Sequence, residues 1–153
     1  MHAMSQIAVG YVVPAAAMEQ AASCFARGDQ RGMRAALAPH AFEPFAWSGY
    51  VIVVLNEWLR EREVEVPVSG EAVVRRLVEM HAPMLCARGA EATALAPRLD
   101  ALNPSSEELA RYWTEFTGEN VPEAPQFMTD AFGWLTRLAH AGAGADWCVL
   151  FEG

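Results

Sequence analysis

Two runs of strand-forming residues stand near opposite ends of the chain, Ile7-Ala8-Val9-Gly10-Tyr11-Val12-Val13 and Asp146-Trp147-Cys148-Val149-Leu150-Phe151, and the stretch between them reads mainly in helical spacing. Pro14 stops ladder hydrogen bonding after the first run, and Gly142 and Gly144 precede the second. A lone strand of this composition is an aggregation hazard, so each run needs a partner, and each is the best partner the other has. The two ends are therefore expected to meet in a small sheet. With 153 residues, a single domain buries roughly two thirds of its unfolded surface and needs neither metal nor disulfides to fold.

Between the strands, apolar residues recur at i, i+3, i+4 and i+7. Ala15 to Ala26 carries Met18, Ala21, Ala22 and Phe25 in that spacing, and Gly28 is a C-terminal stop. Asp29 is placed to cap a second short helix bearing Met33, Ala36 and Leu37, which ends before Pro39. The hairpin from Phe25-Ala26-Arg27-Gly28-Asp29 to Met33-Arg34-Ala35-Ala36-Leu37-Ala38-Pro39 resembles the opening helices of the small cone-shaped α+β proteins related to nuclear transport factor 2. The resemblance ends at Phe42, after which the long alternating strands of those proteins have no counterpart, and it implies nothing about function.

Ser48 is a candidate cap for a helix from Gly49 to about Arg62, with Val51, Leu55, Trp58 and Leu59 in register, although Tyr50 to Leu55 also reads as strand. Glu61 to Pro67 alternates charge with valine, as a brief edge strand or extended link does. A helix starting at Ser69 places Val73, Val74, Leu77, Val78 and His81 on one face and ends at or before Pro83. Met84 to Arg88 and Glu91 to Leu102 read as short helical pieces, the second irregular at Pro97. Ser105 and Glu108 have capping-box spacing ahead of Leu109, Tyr112, Trp113 and Phe116, with Gly118 as the stop. The last helix spans about Pro125 to Ala141. The expected fold is mainly α: one domain, a bundle of about six helices with a two-stranded sheet made by the terminal strands.

No pattern fixes a reaction. His2, His40, His81 and His140 lack metal-ligand spacing, so no metal or cofactor is expected. Cys24, Cys86 and Cys148 are odd in number and far apart, as reduced thiols are; pairing of His81 with Cys86 or His140 with Cys148 would be needed to make a thiolate nucleophile. The chain has no lysine, which excludes Schiff-base chemistry and a Gly-Lys-Ser/Thr phosphate loop. Trp47-Ser48-Gly49 does not complete a Gly-x-Ser-x-Gly elbow, and Glu57 with Glu61 reads as solvated charge beside Arg60 and Arg62.

Charge is the most informative feature. The formal net charge is −8, which argues against a general nucleic-acid binder. Residues 1 to 90 hold 8 arginines against 9 acids, and residues 91 to 153 hold 3 against 10, so seven of the eight net units fall in the last stretch. Glu107, Glu108, Glu115, Glu119, Glu123 and Asp130 are opposed there only by Arg111, and are the candidate face for a basic protein partner. The expectation is a cytoplasmic, non-enzymatic interaction module, of a size and charge that suit an immunity or antitoxin-like inhibitor. The first arginine is Arg27, so no basic region precedes the seven-residue apolar run as a secretory leader requires, and no run approaches the roughly 20 residues of a membrane span. The alternative is a small-molecule-binding protein or small enzyme with a pocket between the last two long helices, lined by Tyr112, Trp113, Phe116, Phe132 and Trp134. A homodimer burying a strand edge or the Tyr50 to Leu55 surface is a third reading.

Overall fold

The C-terminal run is the middle strand of a three-stranded antiparallel sheet. The computed structural model describes residues 7–69, 71 and 83–152. Strand β1 is Ala8–Val13, β2 is Pro83–Arg88 and β3 is Trp147–Glu152, in the order β1-β3-β2. Val9 faces Phe151 and Val13 faces Trp147, so the ends of the chain meet as their composition requires. The expected sheet of two strands is corrected to three, because Met84 to Arg88 is extended rather than helical, with Cys86 opposite Val149 and Arg88 opposite Trp147. Met, Leu, Ala and Arg favour helix locally, and pairing with β3 overrides that weak preference. Pro83 is tolerated as the first residue of the strand.

β3 separates two cores. Cys148 and Leu150 join the larger one with Leu85 and Ala87, while Trp147 and Val149 join the smaller one with Val13 and Cys86. Burial on both faces is why this strand reads as one continuous apolar run. The outer edges are partly covered: Phe42 N–H donates to the Gly10 carbonyl (2.7 Å), and Ser69 N–H donates to the Cys86 carbonyl (2.8 Å). The valine-and-charge stretch thus serves as an extended link that blunts the β2 edge.

Six α-helices are present among the described residues: α1 Ala15–Ala26, α2 Gln30–Leu37, α3 Gly49–Glu61, α4 Gly89–Leu102, α5 Ser106–Thr117 and α6 Ala124–Gly142. Helices α1 and α2 cover one face of the sheet; α3 to α6 supply the larger core on the other. The helix expected from Ser69, with His81, lies outside the described residues. Gly28 and Gly118 turn the chain with φ of 75° and 76°, where a side chain would be strained. Asp29, Ser48 and Ser105 accept from the N–H groups of Gly32, Tyr50 and Glu108. Pro97 sits inside α4 on its exposed side, where water can take up the carbonyl its ring leaves unbonded. No helix among the described residues is long and apolar enough to cross a membrane.

The Tyr50 to Leu55 segment is helix, and Val51, Ile52, Val54 and Leu55 are each no more than 3% exposed. That run is the chain's own core, which removes it as a dimer surface. Helix α1 has Pro14 at its N-cap and no side-chain cap of its own. Its first N–H, on Ala15, is instead taken by the Asp146 carboxylate at 2.7 Å, from the residue that leads into β3. Asp146→Ala is expected to lower stability by about 1 kcal/mol, and Asp146→Asn by less, because the amide oxygen still accepts. Urea denaturation of both variants checks the order.

Candidate functional site

A groove of about 380 Å³ opens between the start of α3, the end of α5 and the start of α6. Its walls are Trp47, Tyr50, Trp113 and Phe127, and Glu119 and Glu123 line it as well. Local chemistry places each group. Ser48 begins α3, which leaves Trp47 outside the helix and Tyr50 in its first turn. Trp113 and Thr117 are one turn apart on α5, and the left-handed Gly118 then sends the chain across the opening. The Thr117 hydroxyl donates to the Trp113 carbonyl (2.7 Å) and accepts from the Glu119 N–H (3.1 Å), anchoring the start of that loop. Phe127 follows in the first turn of α6.

The rings meet edge to face: Trp47 with Phe127 at 5.6 Å, Trp113 with Phe127 at 4.6 Å, and Tyr50 with Trp113 at 5.7 Å between centroids. Such pairs add about 1 kcal/mol each beyond buried area, so the walls are held in place. Trp47 is fixed further by its indole N–H, which donates to Asp130 at 2.8 Å; Gln126 donates to the other oxygen of that carboxylate, also at 2.8 Å.

The six acidic residues of the candidate face divide by role. Glu119 and Glu123 are exposed at the groove, and among the described residues neither carboxylate meets a cation. Glu107 and Glu115 are exposed, one turn either side of Arg111 on a separate stripe of α5. Glu108 turns to α3, where it pairs with Arg62 at 2.9 Å instead of closing the capping box. Asp130 supports Trp47 rather than facing solvent alone.

The five aromatic residues of the alternative pocket do not share one cavity, and only Trp113 lines this groove. Tyr112 stacks on Phe116 and donates to Glu61 at 2.7 Å; desolvation first, then that bond and the acidic neighbours, raise its hydroxyl pKa. Phe132 packs edge-on against Trp58. Trp134 is buried against Phe42 and Phe45 and donates to the Glu43 carbonyl at 2.8 Å. Trp47, Tyr50 and Phe127 are the wall residues that sequence reading missed. Trp47 immediately before a cap serine was the available signal, since the residue before an N-cap is turned off the helix.

The other candidates separate in space. His140 binds Asp100 at 2.8 Å, while the Cys148 thiol donates to the Leu138 carbonyl at 3.6 Å. Burial pushes the Cys86 and Cys148 thiols up to about 12, so neither supplies a thiolate at neutral pH. Glu57 pairs with Arg60 at 2.8 Å. Among the described residues no group of three His, Cys, Asp or Glu is placed to hold a metal ion.

The indoles give an internal comparison. Trp113 and Trp134 are 6% and 2% exposed, but among the described residues the Trp113 nitrogen has no hydrogen-bond partner and the Trp134 nitrogen has one. Phenylalanine removes similar bulk at either site. Trp134→Phe is expected to cost about 1 kcal/mol more than Trp113→Phe, because only the first leaves a partner unbonded. Thermal unfolding of the two variants measures the difference.

Comparison with protein-family models, with curated proteins and with solved structures finds no match.

Proposed function

We propose that this chain is a non-enzymatic binding module that docks a basic protein partner on its acidic C-terminal half, with the groove at the centre of contact. One observation carries this reading: Glu119 and Glu123 flank an aromatic groove, and among the described residues neither has a cation of its own. A carboxylate pair beside ring faces favours a cationic group with an apolar stem, since the rings hold the stem and the acids hold the charge. The exposed Glu107 and Glu115 extend the negative field beyond the groove, which speeds association with a positive surface and disfavours acidic partners. An immunity or antitoxin-like inhibitor occluding a basic enzyme in the cytoplasm would use such a face. Binding small molecules in the groove is the second reading, supported by its volume and ring lining.

The test compares two charge-matched double variants, Glu119→Gln/Glu123→Gln and Glu19→Gln/Glu65→Gln, with hexa-arginine as the probe. All four residues are exposed, so both variants keep the fold. The groove pair should weaken binding roughly tenfold and flatten its dependence on salt, and the distant pair should change it less than about twofold. Equal losses in the two variants would mean that net charge alone draws the peptide and would remove the reading.

A further inference from the structure

The chain shows how it satisfies an arginine. Arg62 lies with its guanidinium carbon 4.0 Å from the Trp58 ring centre while donating to Glu108 at 2.9 Å. Arg88 lies 4.2 Å over the Trp147 ring and grips both oxygens of Glu71, at 2.8 and 2.7 Å. In both places the guanidinium rests on an indole and its edge donates to a glutamate, forking onto both oxygens at Arg88 and dividing at Arg62 between Glu108 and the Trp58 carbonyl (3.3 Å), a set of directed bonds that a planar guanidinium fits and an ammonium does not. The groove repeats the receiving half of that arrangement. Trp47 and Trp113 supply indoles, Glu119 and Glu123 supply carboxylates, and among the described residues no arginine faces either acid.

We propose that the groove is a socket for one arginine side chain presented by the partner. Its three methylenes would lie along Tyr50, Val51 and Phe127, and its guanidinium would stack on an indole with its edge toward Glu119 or Glu123. Asp130 is a positioning residue, because it fixes the Trp47 ring through the indole N–H. The proposal rests on the docking reading above and adds a selection that charge attraction alone does not make, arginine over lysine.

Affinities of hexa-arginine and hexa-lysine, measured by calorimetry at about 0.15 M salt, separate the two claims. The socket predicts that hexa-arginine binds about fivefold or more tightly than hexa-lysine. Trp47→Leu should bring the ratio near one while leaving the shared, salt-dependent binding in place. Asp130→Asn keeps an acceptor for the indole and should retain most of the preference, which guards against a folding defect in the leucine variant. Equal affinities for the two peptides in the wild type, with binding still sensitive to Glu119→Gln/Glu123→Gln, would overturn the socket and leave the docking reading standing. Binding insensitive to that double variant would overturn both.

Discussion

Gly89→Ala should cost about 3 kcal/mol of stability, the upper end of what overpacking does. Gly89 is the first residue of α4, directly after β2, and its N–H donates to the Asp146 carbonyl at 3.1 Å. A β-carbon there would overlap the Ala145 carbonyl oxygen. No side-chain rotation relieves that approach, because both groups belong to backbone. To admit the methyl group, the β2–α4 corner must move away from the segment joining α6 to β3. That segment also carries Asp146, which caps α1, so the displacement reaches the opposite layer of the molecule. Gly144→Ala is the control: it lies in the same segment, a β-carbon there meets nothing within 4 Å, and its stability should change by less than about 0.5 kcal/mol. Denaturant unfolding of the two variants reads the contrast.

Leu138→Ala should cost about 3 kcal/mol as well, here from a cavity. Leu138 is fully buried on α6, and its methyl carbons lie 3.0 and 3.2 Å from where a β-carbon on Gly10 of β1 would stand. Gly10 is thus the gap in the sheet that the leucine fills. Glycine in a strand weakens it, and this close helix approach accounts for one here. Gly10→Ala alone should destabilise by about 1–3 kcal/mol through overpacking against Leu138 and Trp134. Combined with Leu138→Ala, the added methyl group enters vacated space, so the double variant should be more stable than the sum of the single losses implies. Additive losses would mean that the two residues do not share that space.

Local chemistry was legible wherever the deciding atoms are neighbours in sequence. Asp29, Ser48 and Ser105 cap the helices they precede, and Gly28 and Gly118 end theirs, because caps and stops act within one turn. The pairing of the terminal strands was legible for a different reason: two isolated strand signals left each other as partners. Strand β2 was not, since Met84-Leu85-Cys86-Ala87 has no helix-breaking residue and owes its extended form to β3, about sixty positions away. The same limit governs the groove. Its acidic residues stand out in a charge tally, and Trp113 stands out on a helical stripe. That Trp47 comes to Phe127 and Asp130 depends on how the loop before α3 crosses α6, a contact spanning 83 residues. Nor does charge counting distinguish Glu119, which meets no cation among the described residues, from Glu108, which is engaged by Arg62.

The most direct measurement is a map of backbone and indole NMR shifts as isotope-labelled protein is titrated with hexa-arginine. The largest shifts are expected at Trp47 to Val51, Trp113 to Glu123 and Phe127, with the indole signals of Trp47 and Trp113 moving and those of Trp58, Trp134 and Trp147 nearly still. Shifts spread evenly over every exposed carboxylate, or concentrated on α1 and α2 across the sheet, would contradict docking at the groove.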